Sequence, residues 1–182
     1  MHDHDHSPDH PCCGSRTSDP LACPRCGSQG KPVARDTIAG FVSPQALATL
    51  GNGESRFCPH PACPVAYYAP SGQPITKDLL SVRLGVKEDE GPRPICYCFG
   101  HTHESLAAEW SEKHSVSAVM DVMAAARAGQ CRCAELNPQG ACCLPDLRRT
   151  VLSLQELPPM PDPEPSEACA SCSDPSGCSS CG

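Results

Sequence analysis

The chain is short of the residues that usually fill a protein interior. Its 182 residues include three Phe, three Tyr and one Trp, so a domain built from it buries limited apolar surface and needs other staples. No run approaches the roughly 18 apolar residues of a membrane span, which argues against membrane insertion. The N-terminal stretch, MHDHDHSPDHPCCG, has neither the basic start nor the apolar segment of a secretory signal. A cytoplasmic location is therefore expected, where thiols stay reduced. Basic residues are scarce too: 14 Lys and Arg face 21 Asp and Glu, for a net charge of −7 with His neutral. Beyond Arg148–Arg149 there is no basic cluster, and without a basic stripe no nucleic-acid partner is expected. No serine-triad, cysteine–histidine or paired-carboxylate arrangement suggests hydrolysis. His101 and His103 read as part of a helix start rather than as a catalytic pair.

What the chain has in excess is cysteine, 16 residues, with 21 Pro and 14 Gly to interrupt regular elements. In a reducing compartment, paired cysteines at short spacing point to metal ligation, with disulfides the competing reading. Composition divides the chain into a His/Cys-rich tail at 1–20, a zinc-binding unit at 21–94, a helical unit at 95–155, and a Pro-, Ser- and Cys-rich tail at 156–182. The last is expected to be disordered unless metal organises it.

Local patterns predict a small α+β fold. Ser43–Pro44 starts a short helix, with Pro at the favoured first position. Arg56–Phe57 and Val65–Tyr68 favour strands, being rich in β-branched and aromatic residues, and Ser81–Gly85 is also strand-like. Thr102 caps a helix with Leu106 and Trp110 on one face, and Ser115 or Ser117 starts a second through Val116, Val119, Met120 and Met123, stopping near Gly129. Leu147 to Leu157 reads as a third, with Leu147, Val151 and Leu154 on one side.

Cys23-Pro-Arg-Cys26-Gly27 has zinc-knuckle spacing, since thiolates two residues apart can turn back onto one ion and Gly27 permits the tight turn. Cys58 and Cys63, with four residues between them, complete a four-thiolate set. Such a site is closed, hence structural. His60 is the alternative to Cys63.

The later cysteines follow another rule. Cys96-Tyr97-Cys98 has a one-residue gap, followed by Cys131-Arg-Cys133 and then Asn137-Pro-Gln-Gly-Ala-Cys142-Cys143. A C-x-C, a helical pair and further cysteines resemble the bacterioferritin-associated ferredoxin type of [2Fe–2S] domain. Helix N-termini suit an anionic cluster, and Thr102 and Ser115–Ser117 are expected to supply them here. Read with both earlier cysteine pairs, Ile75-Thr-Lys-Asp78, Val82-Arg83-x-Gly85-Val86-Lys87-Glu88 and Pro94-x-Cys96, the order of motifs resembles the N-terminal domain of CopZ-type copper chaperones over roughly residues 21–150.

That resemblance implies zinc at Cys23, Cys26, Cys58 and Cys63, and a [2Fe–2S] cluster at Cys96, Cys98, Cys133 and Cys143. Cys142 remains open as the fourth cluster ligand and Cys131 as the third, and a second zinc site is the competing reading. Tyr97 and Phe99 are expected to shield the cluster. The residues after 155 leave no room for the copper-transfer domain that such chaperones carry. They hold Cys169, Cys172, Cys178 and Cys181, which read as a thiolate trap for Cu(I) or Zn²⁺. His2, His4, His6 and His10, with Cys12–Cys13, read as a second metal-capturing arm.

The functional expectation is an iron–sulfur and zinc protein of copper homeostasis, metallochaperone-like, with one-electron activity towards Cu(II) and no other catalysis. Its partners would be metal ions and a copper-transporting ATPase or redox protein. The alternative is a ferredoxin-like electron-transfer module with no copper role.

Overall fold

Short apolar patterns give short elements. The computed structural model describes residues 22–156, and the cysteines and histidines of both tails lie outside them. A four-stranded antiparallel sheet, in the order β1-β2-β3-β4, is built from β1 (Lys31–Pro32), β2 (Arg56–Phe57), β3 (Val65–Tyr68) and β4 (Ile75–Thr76). Lys31 lies opposite Phe57, Arg56 opposite Tyr68 and Val65 opposite Thr76. Every residue of β3 is buried, as its run of Val, Ala and two Tyr demands. Between β1 and β2 the chain forms α1 (Arg35–Ala39) and α2 (Pro44–Thr49). Ser43 caps α2 as expected, its Oγ accepting the Ala46 N–H at 3.2 Å. Ile38, Leu50, Phe57, Tyr67, Ile75 and Leu84 close the first core, each contributing about 1.5–3 kcal/mol through burial.

Ser81–Gly85 is not a strand. The chain bends there and enters a 3₁₀ turn at Gly85–Lys87. The Arg83 guanidinium folds the segment on itself, donating to the Glu90 and Gly91 carbonyls and to Glu88. Gly85 lies flat against the backbone of Pro94, where a side chain would clash.

The second half pairs β5 (Pro94–Cys96) with β6 (His101–Thr102) and adds α3 (His103–Lys113), α4 (Ala118–Arg127), the short α5 (Cys133–Leu136) and α6 (Leu144–Glu156). Thr102 caps α3 reciprocally with Ser105: each side-chain oxygen accepts the other's backbone N–H. Ser117 does precede α4, but its hydroxyl donates to Asp121 instead of capping. Gly129, at φ +71, follows the helix end. The third helix begins three residues ahead of expectation, at Leu144, with Pro145 in the first turn where its missing N–H costs nothing. Leu106, Ala118, Val122, Leu147 and Leu154 pack with Cys96 and Cys143 into a second core.

Hydrogen bonds tie the halves together. The buried Tyr67 hydroxyl donates to the Pro138 carbonyl at 2.7 Å, and Thr37 Oγ1 donates to Ala134 O at 2.6 Å.

Candidate metal centres

Two loops off the first sheet carry one cysteine set. The Gly27 N–H donates to Cys23 O at 2.9 Å and the Cys23 N–H to Ser28 O at 2.8 Å. This turn needs the positive φ of Gly27, +73°. On the other loop, Cys58 leaves β2 with its N–H on Ala66 O, and the Cys63 N–H returns to His60 O. The outcome is four sulfurs all within 4.8 Å of one another, at Cys23, Cys26, Cys58 and Cys63. Cys26 Sγ is 3.5 Å from Cys58 Sγ, and Cys23 Sγ is 4.0 Å from Cys63 Sγ.

A zinc ion with Zn–S bonds of about 2.3 Å holds tetrahedral thiolates about 3.8 Å apart, so the donor set fits. Cys23, Cys58 and Cys63 are buried, while Cys26 is partly open to solvent. His60 is exposed and contributes its backbone carbonyl, not its ring. The ten cysteines of the described residues are free thiols.

Burial raises the Cys58 and Cys63 thiols above their usual range. Desolvation also opposes ionisation of Cys26, but hydrogen bonds from Ser28 and the neighbouring thiols outweigh it and bring that thiol down to about 6. One ligand is thus ready as thiolate near neutral pH, while Cys58 and Cys63 need the metal's charge to ionise. Against this set lies a buried lysine, Lys87, whose Nζ donates to His60 O at 2.8 Å and Cys63 O at 3.0 Å.

The second set has a different shape. Cys98 Sγ lies 3.8 Å from Cys133 Sγ, and Cys96 and Cys143 are buried in the same core cluster. Among the described residues, no three of these ligands crowd together as the first four do. Cys143 is buried and directly precedes α6, its carbonyl accepting the Leu147 N–H; Cys142 is exposed. Burial and the neighbouring Cys98 raise the Cys131 thiol, against a weaker opposing effect of Cys133. The hydrogen bond from Cys143 lowers the Cys96 thiol to about 6, and the same bond raises Cys143, so the pair loses its first proton readily and its second with difficulty. Burial lifts Cys133 to about 11.

Asn137 organises the loop before Cys142 and Cys143. Its Nδ2 donates to Ala141 O at 2.6 Å and its Oδ1 accepts the Gln139 N–H at 3.0 Å.

Several expectations for this region change. The helix starts at Thr102 and Ser117 are occupied locally, by Ser105 and by the Glu109 carboxylate; the helix starts at a cysteine are those of α5, which begins at Cys133, and α6, which follows Cys143. Tyr97 turns onto the preceding loop, its hydroxyl donating to Arg83 O at 2.8 Å, and burial raises it to about 12. Phe99 is 38% exposed. His103 pairs its ring with Arg93, beside the Arg93–Glu104 ion pair. Lys87 and Asn137 were missed as site residues. A lysine set among Leu84, Val86 and glycine was the available signal for the first; an Asn–Pro turn directly before a cysteine pair was the signal for the second.

A family model described as a zinc binding domain, of CopZ type, matches residues 20–81. The X-ray structure of the Archaeoglobus fulgidus CopZ N-terminal domain matches with a TM-score of 0.59 and 31% identity, covering 71% of this chain and 96% of that one. The chain belongs to the CopZ N-terminal domain family. The copper chaperone CopZ of Archaeoglobus fulgidus is 32% identical over 124 residues, 68% of this chain and 58% of the chaperone. This CopZ-type chain thus matches less than two thirds of that chaperone's length. It carries a zinc-binding domain with a four-cysteine cluster, and no helix among its described residues is long and apolar enough to cross a membrane.

Proposed function

We propose that this CopZ-type protein serves copper handling, with structural zinc at Cys23, Cys26, Cys58 and Cys63 and a [2Fe–2S] cluster at Cys96, Cys98, Cys133 and Cys143. The observation that carries the cluster assignment is the looser spacing of the second set: Cys96, Cys98, Cys133 and Cys143 gather at one core, with Cys98 Sγ 3.8 Å from Cys133 Sγ, without converging on a single point. Two irons each take two thiolates, whereas a single zinc draws four sulfurs to one point, as the first set is drawn. The exposure of Cys142 and the burial of Cys143 against Cys96 support the latter as ligand.

A cluster held there supplies one-electron transfer. Held by Cys96, Cys98, Cys133 and Cys143, it would supply the single electron that converts Cu(II) to Cu(I). Cu(I) is the ion that thiolates retain, and Cys169, Cys172, Cys178 and Cys181, with His2, His4 and His6, are the proposed cargo ligands. A copper-transporting ATPase is the corresponding acceptor. Support for a copper role comes from the relative named as a copper chaperone.

The test is metal and sulfide analysis with a visible spectrum on protein purified without oxygen. The expected sample is red-brown with about two irons, two sulfides and one zinc per chain. A colourless sample with two zincs overturns the cluster. Cu(I) affinity of the full chain, set against a chain lacking residues 1–20 and 156–182, then checks the copper role. Equal affinity would leave the electron-transfer module without copper as the better reading.

A further inference from the structure

Lys87 is the one charged residue buried among those described, at 4% exposure. A buried ammonium is unfavourable unless an opposite charge faces it. No carboxylate of the described residues does: the adjacent Glu88 turns to Lys77 and Arg83 instead. Lys87 Nζ points between the His60 and Cys63 carbonyls, both in the loop that delivers Cys58 and Cys63, and sits 5.6 Å from the centre of the Phe57 ring. The groups whose charge favours this ammonium are the four cysteines themselves, Cys58, Cys63, Cys23 and Cys26.

Four thiolates around Zn²⁺ carry a net charge of −2, placed here in a mostly buried pocket. We infer that Lys87 is the internal counter-ion of the zinc tetrathiolate and the clasp of its second ligand loop. Its protons go to backbone carbonyls and not to sulfur, so it is a positioning residue that acts through charge and through the loop. The same turn meets the other centre. The Gly85 N–H donates to the Tyr97 hydroxyl between the two cysteines of the C-x-C, and the Lys87 carbonyl accepts from Lys77 Nζ at 2.8 Å. A single 3₁₀ turn therefore braces the loop of one centre and the strand of the next.

The inference rests on the zinc reading of the four-cysteine site, and the experiment separates the two. Zinc retention by the full chain is measured against a chromophoric chelator for wild type, Lys87→Met and Lys87→Gln, each in the native site and with Cys26→His, which makes a three-thiolate site of net charge −1. Circular dichroism of the zinc-loaded proteins checks folding first. Lys87→Gln keeps amide donors for the loop carbonyls if Lys87→Met fails to fold.

Loss of an outer partner typically weakens metal binding by about 10–100-fold. Both variants are expected to lose zinc retention in that range in the four-thiolate site and markedly less in the Cys26→His site. Equal losses in both sites, or wild-type retention in Lys87→Gln, overturn the counter-ion role. A wild-type chain that holds no zinc would instead overturn the zinc reading.

Discussion

The two cysteine sets of this chain are built on opposite plans. The first hangs from turns at the edge of a four-stranded sheet, and its four sulfurs converge to within 4.8 Å. The second is spread over β5 and its following turn, the start of α5 and the start of α6, and its sulfurs gather at one core without converging on a single point. Each turn is stiffened by its own backbone hydrogen bonds, and the pairing of β1 with β2 sets the two turns side by side so that four sulfurs meet at one point. Helix starts far apart in sequence depend on packing to bring their cysteines together, and the second core supplies that packing through Leu106, Val122 and Leu147. The first centre is thus assembled by strand pairing and the second by helix packing.

The sharpest way to break this comparison is to remove one buried ligand from each set. Cys58→Ser is expected to lose the bound zinc and most of the stability of the first half, because metal affinity at a structural site is folding free energy. Zinc content and thermal melting would show it. Cys143→Ser should abolish visible absorption while keeping one zinc per chain, and Cys142→Ser should keep both. If Cys143→Ser also sheds zinc, the two sets form one cooperative unit and the contrast fails.

A smaller effect probes the joint between the halves. Tyr67→Phe leaves the buried Pro138 carbonyl without its donor, which should cost about 1–3 kcal/mol in urea unfolding. A second, earlier transition for the helical half would mean that this joint holds the halves in register. The smallest change expected is Thr102→Ala, which removes the reciprocal cap of α3 at about 1 kcal/mol. It should lower the melting temperature of the helical half without changing zinc content.

Much of the first half was legible from residue order. Ser43–Pro44, the two strands at Arg56–Phe57 and Val65–Tyr68, and the four closely spaced cysteines are local patterns, and the structure has all of them. In the second half the helices were legible, since Thr102 and Gly129 mark boundaries through their own backbone chemistry. The misreading of Ser81–Gly85 has a non-local cause: Arg83 reaches carbonyls seven and eight residues away, and Gly85 meets Pro94. Phe99, expected to cover the second cysteine set, is left 38% exposed, and nothing in a C-x-C-aromatic run says which side the ring takes.

Ligand chemistry belongs to the sequence, because thiolates two to four residues apart can reach one ion whatever surrounds them. Partner choice among distant cysteines does not: Cys142 and Cys143 are neighbours in the chain, and only the packing of α6 buries one against Cys96 and leaves the other in water. Lys87 marks the same boundary. Its charge is written in the sequence, but its place beside four sulfurs follows from a turn that the sheet and β5 close from both sides.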